Sequence, residues 1–364
     1  MEVKNLTRVF NRFIDDEAKS IRPLGKGNIN NTYRVVCQNN EEYLLQRLNA
    51  YALPNIDACL GNIETISNHI KSKGEVSLSL IRTKSGELSY KDDENYCWRL
   101  YPFFKASNSV DETEDLSLLE EIAKGFGKFD DLLFDLDIKT VEVSDDNFHN
   151  TRQKYELLMK AIVEDCKNRV VESIDEIEWA NELIKKCEVI TGLSIFKLSD
   201  LLFSGKLKKQ VVHNDTKLNN ALITNNGKVV CIVDLDTAMP GTILNDFADG
   251  VRSACNTSCE EEYDITKVNF DLAKFEAFTK GFFAGFTKKL GEVEKELLSV
   301  SPISIAFELG CRFLADYLNG DVFFRIVSDD KSFNLVRARV QFKLCESMLE
   351  NFENIKTIIL KYIN

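Results

Sequence analysis

Chain breakers are scarce in this sequence. Five prolines and 17 glycines among 364 residues leave no room for long flexible linkers. Long hydrophobic runs are missing too: the longest are a handful of residues, against the ~20 that a membrane-crossing helix needs. The opening MEVKNLTRVFNRF is an amphipathic helical pattern without the apolar centre of a signal peptide. A cytoplasmic protein with no membrane partner is therefore expected. There is no dense Lys/Arg cluster, and the net charge of −12 with pI near 5.0 speaks against nucleic acid, which is bound through basic patches. No Cys-x-x-Cys occurs among the ten cysteines, and Cys255 and Cys259 have no histidine beside them. Buried free thiols are expected rather than disulfides or zinc. No internal repeat or low-complexity segment is present.

What is there divides unevenly. After an opening helix, residues 32–37 and 42–48 are β-rich runs joined by the polar turn Gln38-Asn39-Asn40-Glu41, the pattern of a hairpin. A helix is expected over 55–73, with strands at 76–81 and 95–101. Beyond Pro102 apolar residues recur at helical spacing over 116–136, 147–191, 268–289, 302–318 and 333–363. Short β runs at 210–213, 221–224 and 229–234 interrupt them, the last two joined by Asn225-Asn226-Gly227. The reading is α+β and two-lobed, with a small β-rich lobe over 1–103 and a large, mainly helical lobe over 104–364. Small ligands usually bind in the cleft between such lobes.

One stretch carries chemistry. Val211-Val212-His213-Asn214-Asp215-Thr216-Lys217-Leu218-Asn219-Asn220 sets polar groups in a loop between apolar strands. Fourteen residues after Asn220, the apolar run Val230–Val233 ends in Asp234-Leu235-Asp236. Burying a strand up to two carboxylates is unfavourable unless something compensates them, and a divalent cation does so. Phosphoryl transfer asks for these parts: a carboxylate that accepts the attacking hydroxyl's proton, oxygen ligands for magnesium, and positive charge near the moving phosphoryl group. Asp215 is the candidate base and Lys217 the candidate phosphate-facing cation. Asn220 follows Asp215 by the interval found in kinase catalytic loops, and with Asp234 it supplies the metal ligands. His213 is expected to support the loop.

These segments, with Met239-Pro240-Gly241 and Asn245-Asp246-Phe247-Ala248-Asp249, resemble the aminoglycoside phosphotransferase and choline kinase group. Within it the sequence is most similar to the N-acetylhexosamine 1-kinases. The resemblance runs from about Ile21 to Gln341 and is weakest over 111–208. It implies a protein-kinase-like fold, ATP and Mg2+ as cofactors, and transfer of the γ-phosphate to the anomeric hydroxyl of a hexosamine. Asp246 falls where the group carries an aspartate bracing the catalytic loop. Asp236 can serve as metal ligand or support, and support is the expected role.

The resemblance extends to Leu24-Gly25-Lys26-Gly27-Asn28, similar to the group's nucleotide flap, where glycines let backbone approach phosphate. Gly25, Gly27 and Asn28 are expected at the nucleotide. Asn31, in the following Asn30-Asn31-Thr32-Tyr33, is expected at the sugar. Gln46 stands where most kinases carry a phosphate-binding lysine. Arg47 beside it must face the other way, because neighbouring residues of a strand point to opposite faces. Arg99, Tyr101 and Phe103 fit the hinge that would hold the adenine. On an otherwise apolar helix, Arg312, Asp316 and Tyr317 resemble the hexosamine kinases' acceptor segment. Arg312 and Asp316, spaced i,i+4, could equally form an intrahelical ion pair. Two other functions remain: an aminoglycoside- or choline-type kinase, and a catalytically silent nucleotide-binding relative.

Overall fold

The computed structural model describes residues 3–24, 30–50, 53, 55–105, 107–324, 326 and 330–363. The first lobe begins with helix α1 (Val3–Phe10), followed by strands β1 (Ala18–Pro23), β2 (Asn31–Cys37) and β3 (Glu42–Arg47), helix α2 (Ile56–Ser72), and strands β4 (Tyr90–Lys91) and β5 (Cys97–Pro102). The strands form one antiparallel sheet in the order β1-β2-β3-β5-β4. Alternation decides its two faces. Val35, Cys37, Leu45, Trp98 and Leu100 point to one side and bury Leu6, Val9, Phe10 and Phe13 beneath them. Gln46, paired with Arg99, and Leu44, paired with Tyr101, point to the other. The expected strand over 76–81 is only an extended segment. It makes a single bridge, Ile81 N–H donating to the Leu100 carbonyl at 2.8 Å, while β4 occupies the edge beside β5.

The second part runs β6 (Ser107–Asn108), α3 (Leu116–Leu133), α4 (Thr151–Glu164), α5 (Ile174–Thr191), α6 (Lys197–Phe203), β7 (Gln210–Val212), β8 (Ala221–Thr224), β9 (Val229–Ile232), β10 (Met239–Gly241), α7 (Ile243–Ala254), α8 (Leu272–Gly285), α9 (Glu292–Leu297), α10 (Ser301–Asn319), α11 (Phe333–Glu350) and α12 (Phe352–Tyr362). β7 pairs with β10, and β8 lies between β6 and β9. The expected continuous helix over 147–191 breaks because Asp165 adopts a left-handed conformation, φ 36°. The last one breaks at Asn351. No helix of the described residues is long and apolar enough to cross a membrane.

A single core extends through α3, α7, α8, α10 and α11 and takes in Cys59, Leu60, Ile63, Ile66 and Ile70 of α2. α2 is therefore seated on the helical part while belonging to the first lobe in sequence. Asn62 fixes it there, its amide donating to the Glu142 carbonyl and accepting the Glu142 N–H, both at 2.8 Å. α3 and α8 cross at glycines. A Cβ at Gly127, Gly281 or Gly285 would lie 2.0, 2.1 or 2.2 Å from the carbonyl oxygen of Phe282, Glu120 or Lys124. Backbone meets backbone there, and α3 in turn sets Phe126 and Phe129 edge-on against His213. All ten cysteines are free thiols, with only Cys166 and Cys259 exposed.

Candidate active site

The loop after β7 is held from below by the first two turns of α7. Asp246 accepts the His213 and Asn214 backbone N–H groups, one on each oxygen, at 2.6 Å. Asp249, one turn on, accepts the Thr216 N–H at 2.9 Å, and the Thr216 hydroxyl donates to the Asp246 carbonyl at 2.6 Å. Arg252 offsets the Asp249 charge through its Nε, at 2.9 Å. These bonds let Asn214 hold a left-handed backbone, φ 64°, and expose Asp215 at the turn. His213 lies fully buried, its Nε2 at 2.8 Å from the Val233 carbonyl and its Nδ1 accepting the Asp215 N–H at 3.2 Å.

Around Asp215 the spacing closes as the chemistry requires. The Asn220 amide donates to the Asp215 carbonyl at 2.8 Å and to its carboxylate Oδ2 at 3.1 Å, which leaves the Asn220 Oδ1 without a donor among the described residues. Lys217 Nζ lies 3.4 Å from Asp215 Oδ1, and that carboxylate, outweighing burial, raises the lysine pKa. Asp234 ends its strand in a left-handed conformation, φ 59°. Asp234 is an exposed residue. Desolvation between the walls, then repulsion from Asp236 and Asp215, raises its pKa to about 7 against the pull of Arg99. Among the described residues no three His, Cys, Asp or Glu side chains cluster closely enough to hold a metal ion, but the Asp234 carboxylate and the Asn220 amide oxygen are hard oxygen donors of the kind that suits a small cation.

Asp236 spans the cleft. It takes the two terminal nitrogens of Arg99 on its two oxygens, one at 3.0 Å, together with Asn30 Nδ2 at 2.9 Å. Arg99 Nε donates to Gln46 Oε1 at 2.9 Å, and Gln46 Nε2 donates to Thr32 Oγ1 at 3.0 Å. The positive charge on this wall thus comes from β5, one strand over from the place where kinases carry their lysine, and its fork is spent on Asp236. Arg99 was expected in the hinge. It instead lies inside the strand, 1% exposed, because strand parity turns it toward Gln46. Phe103 does follow the sheet, but its N–H is already donated to the Glu42 carbonyl at 2.9 Å and its ring lies under the Arg34 guanidinium, 4.6 Å away. The Tyr101 ring packs against Arg99 at 5.1 Å. Gly25, Gly27 and Asn28 lie outside the described residues.

Residues 20–276, more than half of the chain, match the phosphotransferase enzyme family that includes the aminoglycoside phosphotransferases. The chain belongs to that family. Solved structures share the fold across nearly its whole length. An aminoglycoside phosphotransferase from Alicyclobacillus acidocaldarius is 13% identical with a TM-score of 0.63, covering 98% of this chain and 95% of its own. An amicoumacin kinase complexed with AMP-PNP, Ca2+ and its antibiotic is 12% identical with a TM-score of 0.60, covering 94% and 93%. A choline kinase from Cryptosporidium parvum is 13% identical with a TM-score of 0.58, covering 99% and 97%. The protein is a phosphotransferase of this type, with the protein-kinase-like fold, and its acceptors are small molecules bearing a hydroxyl.

The phosphotransferase departs from the sequence-based expectation at its acceptor end. Asn31 pairs across the β2–β3 ladder with Arg47, whose guanidinium lies 2.7 Å from the Asn31 amide oxygen once that amide is oriented to accept. Thr32 and Gln46 take the cleft face, so parity turns Asn31 away from the acceptor. Asp316 is buried, and its carboxylate accepts the N–H groups of Val322, Phe323 and Phe324 at 2.8–3.0 Å and Asn334 Nδ2 at 3.1 Å. It braces the turn after α10 and has no free lone pair to offer a sugar. Tyr317 donates to Glu172 at 2.6 Å under the Arg169 guanidinium. Arg312 forms no ion pair with Asp316. Its guanidinium lies over the Phe323 and Phe324 rings at 5.7 and 5.2 Å, and among the described residues it has no hydrogen-bond partner.

Sequence reasoning missed three supports. Asn30 is one. Asp130 is another: fully buried beside Asp246, with no hydrogen-bond partner on either oxygen, its pKa is raised well above the ordinary carboxylate value by burial and then by that neighbour's charge. The third is the pair His149 and Glu308, whose signal was a glutamate between Phe307 and Leu309 in an apolar helix.

Proposed function

We propose that this phosphotransferase moves the γ-phosphate of ATP to a sugar hydroxyl, the anomeric hydroxyl of an N-acetylhexosamine. The observation that carries the reading is the Asp215–Asn220–Lys217 cluster, with Asp234 near enough for the Asp215 charge to raise its pKa. Asp215 accepts the proton of the attacking hydroxyl as the new O–P bond forms and the bond to the ADP bridging oxygen breaks, the electron pair leaving with ADP. Asn220 holds Oδ2 of Asp215 through its N–H, and the acceptor would share Oδ1 with Lys217, which lies 3.4 Å from it. Lys217 brings positive charge to the transferred group. The Asn220 Oδ1 and the Asp234 carboxylate would hold Mg2+, which when bound neutralises phosphate charge. Gln46 retains one N–H for the nucleotide, and the flap backbone at Gly25, Gly27 and Asn28 would contribute others.

The acceptor end favours a neutral polyol over a polyamine. Glu260, which adds to the effect of Asp215 on Lys217, is taken by Arg337 at 2.6 Å, and Glu261 lies 3.9 Å from the same arginine. Arg312, by contrast, presents beside two aromatic rings a guanidinium with no hydrogen-bond partner among the described residues. A cationic acceptor would be repelled there, whereas sugar hydroxyl and acetamido oxygens can accept from it. The test is a panel of N-acetylglucosamine, N-acetylgalactosamine, choline and aminoglycosides with ATP and Mg2+, followed by ADP release and product mass. Turnover of the N-acetylhexosamines is expected, and Asp215→Asn lowers kcat about 1,000-fold. Turnover of the amines alone would transfer the protein to the aminoglycoside- or choline-type reading.

A further inference from the structure

The chain has three histidines, and two of them grip the same peptide unit. The Asn214–Asp215 amide N–H is donated to His213 Nδ1 at 3.2 Å, and the carbonyl oxygen of that unit, Asn214 O, lies 3.1 Å from His149 Nε2. His149 comes from the loop before α4, in a left-handed conformation with φ 52°, and its ring is edge-on to Phe148 at 4.7 Å. Its other nitrogen, Nδ1, is 3.2 Å from Glu308 Oε1 on α10. The second Glu308 oxygen accepts the Thr151 hydroxyl at 2.9 Å. His149 and Glu308 are 7% and 2% exposed.

A neutral imidazole has one N–H and one lone pair. Here both ring nitrogens face oxygens that can only accept, a carbonyl and a carboxylate. Both contacts are attractive only when both nitrogens carry protons. His213 is the contrasting case: its Nδ1 accepts an N–H, so its proton sits on Nε2, facing the Val233 carbonyl. We propose that His149 is a positioning residue, an imidazolium held by Glu308, whose second N–H fixes the Asn214 carbonyl and thereby the peptide that carries Asp215.

The surrounding charges agree. Burial disfavours the imidazolium, but Glu308, with Asp249 of α7 behind it, outweighs that and raises the His149 pKa. Glu308 is lowered in turn by His149, with Arg312 of α10 and Lys154 of α4 assisting. The sign follows from these directions. The pair's stabilisation is intact below the ordinary histidine value of about 6.5 and is lost as pH climbs through the raised value. Above it the ring turns a lone pair toward an oxygen and lets go of one of them.

The inference builds on Asp215 as the base, but its first test does not need an acceptor. Long-range 1H–15N spectra of the full chain labelled at histidine contain three ring systems, and His69→Gln and His149→Gln variants assign them. The expected spectrum shows His149 protonated at both nitrogens at pH 7. Activity supplies the second test. His149→Ala lowers kcat about 100-fold, the scale of a misplaced reacting group, with smaller changes in the KM values. Glu308→Gln shifts the alkaline limb of the kcat–pH profile to lower pH. A wild-type His149 carrying one ring proton at pH 7 overturns the proposal whatever the acceptor proves to be. So does a Glu308→Gln profile that superimposes on the wild type, a readout that mere packing would not move. If no sugar is turned over, the ring-proton measurement still decides, so the two readings fail separately.

Discussion

Two segments, the loop of Asp215 and the α10 stretch proposed above for the acceptor, each set a charged residue a few positions from an aspartate, and they use the arrangement in opposite ways. At the catalytic end, Asp215, Lys217 and Asn220 close on one another within a single loop, because Asp246 and Asp249 of α7 take up the backbone N–H groups beneath them. The functional carboxylate is left open because others do the bracing. On α10, Asp316 does the bracing itself, taking three N–H groups of the turn after the helix. Its i,i+4 neighbour Arg312 is the side chain left open. A carboxylate is available for chemistry where a neighbouring one has already satisfied the backbone.

The largest expected effect tests whether the cleft wall behaves as the bracing end does. Arg99→Met leaves Asp236 buried without its counter-ion and should cost about 3–5 kcal/mol of stability in urea denaturation. Arg99→Met with Asp236→Leu together should recover part of that loss. Next, Asp316→Ala should cost about 1–3 kcal/mol, the penalty for leaving buried N–H groups unmade, with an acceptor KM within about twofold of wild type, as expected away from reacting groups. Arg312→Ala should do the reverse, raising acceptor KM by about tenfold, one hydrogen bond from a charged group, at little cost in stability. If Asp316→Ala raises KM and Arg312→Ala does not, the contrast is inverted. The smallest effect belongs to Asp130→Asn. Its neutral amide replaces a carboxyl whose charged form burial and Asp246 both disfavour, so stability in urea denaturation should change by less than about 1 kcal/mol, and a larger loss would sink that reading.

How much could be read from the sequence follows the same division. The catalytic loop was legible because its parts are contiguous and flanked by apolar strands, so spacing alone brings Asp215 and Asn220 together. The sheet was legible where alternation was long enough, as in β2, β3 and β5. Residues 76–81 have the composition of a strand, but pairing is a tertiary decision and β4 took that edge. Asn31 was misread by one residue of parity, with Asn30 reaching the cleft in its place. Helix α10 showed which residues were polar but not which would be consumed by a turn that had yet to fold back. His149 and Glu308 lie 159 residues apart, beyond any local pattern.

The glycines at the crossing of α3 and α8 carry a consequence for how this enzyme tolerates change. Gly127, Gly281 and Gly285 touch neither lobe's cleft, yet any side chain there meets a carbonyl oxygen at about half a normal contact distance. Separating the helices would move Phe126 and Phe129 away from the His213 ring. A saturation scan read out by growth or yield would therefore find some of its most intolerant positions on the far side of the fold, where a single hydrogen atom is the only acceptable side chain.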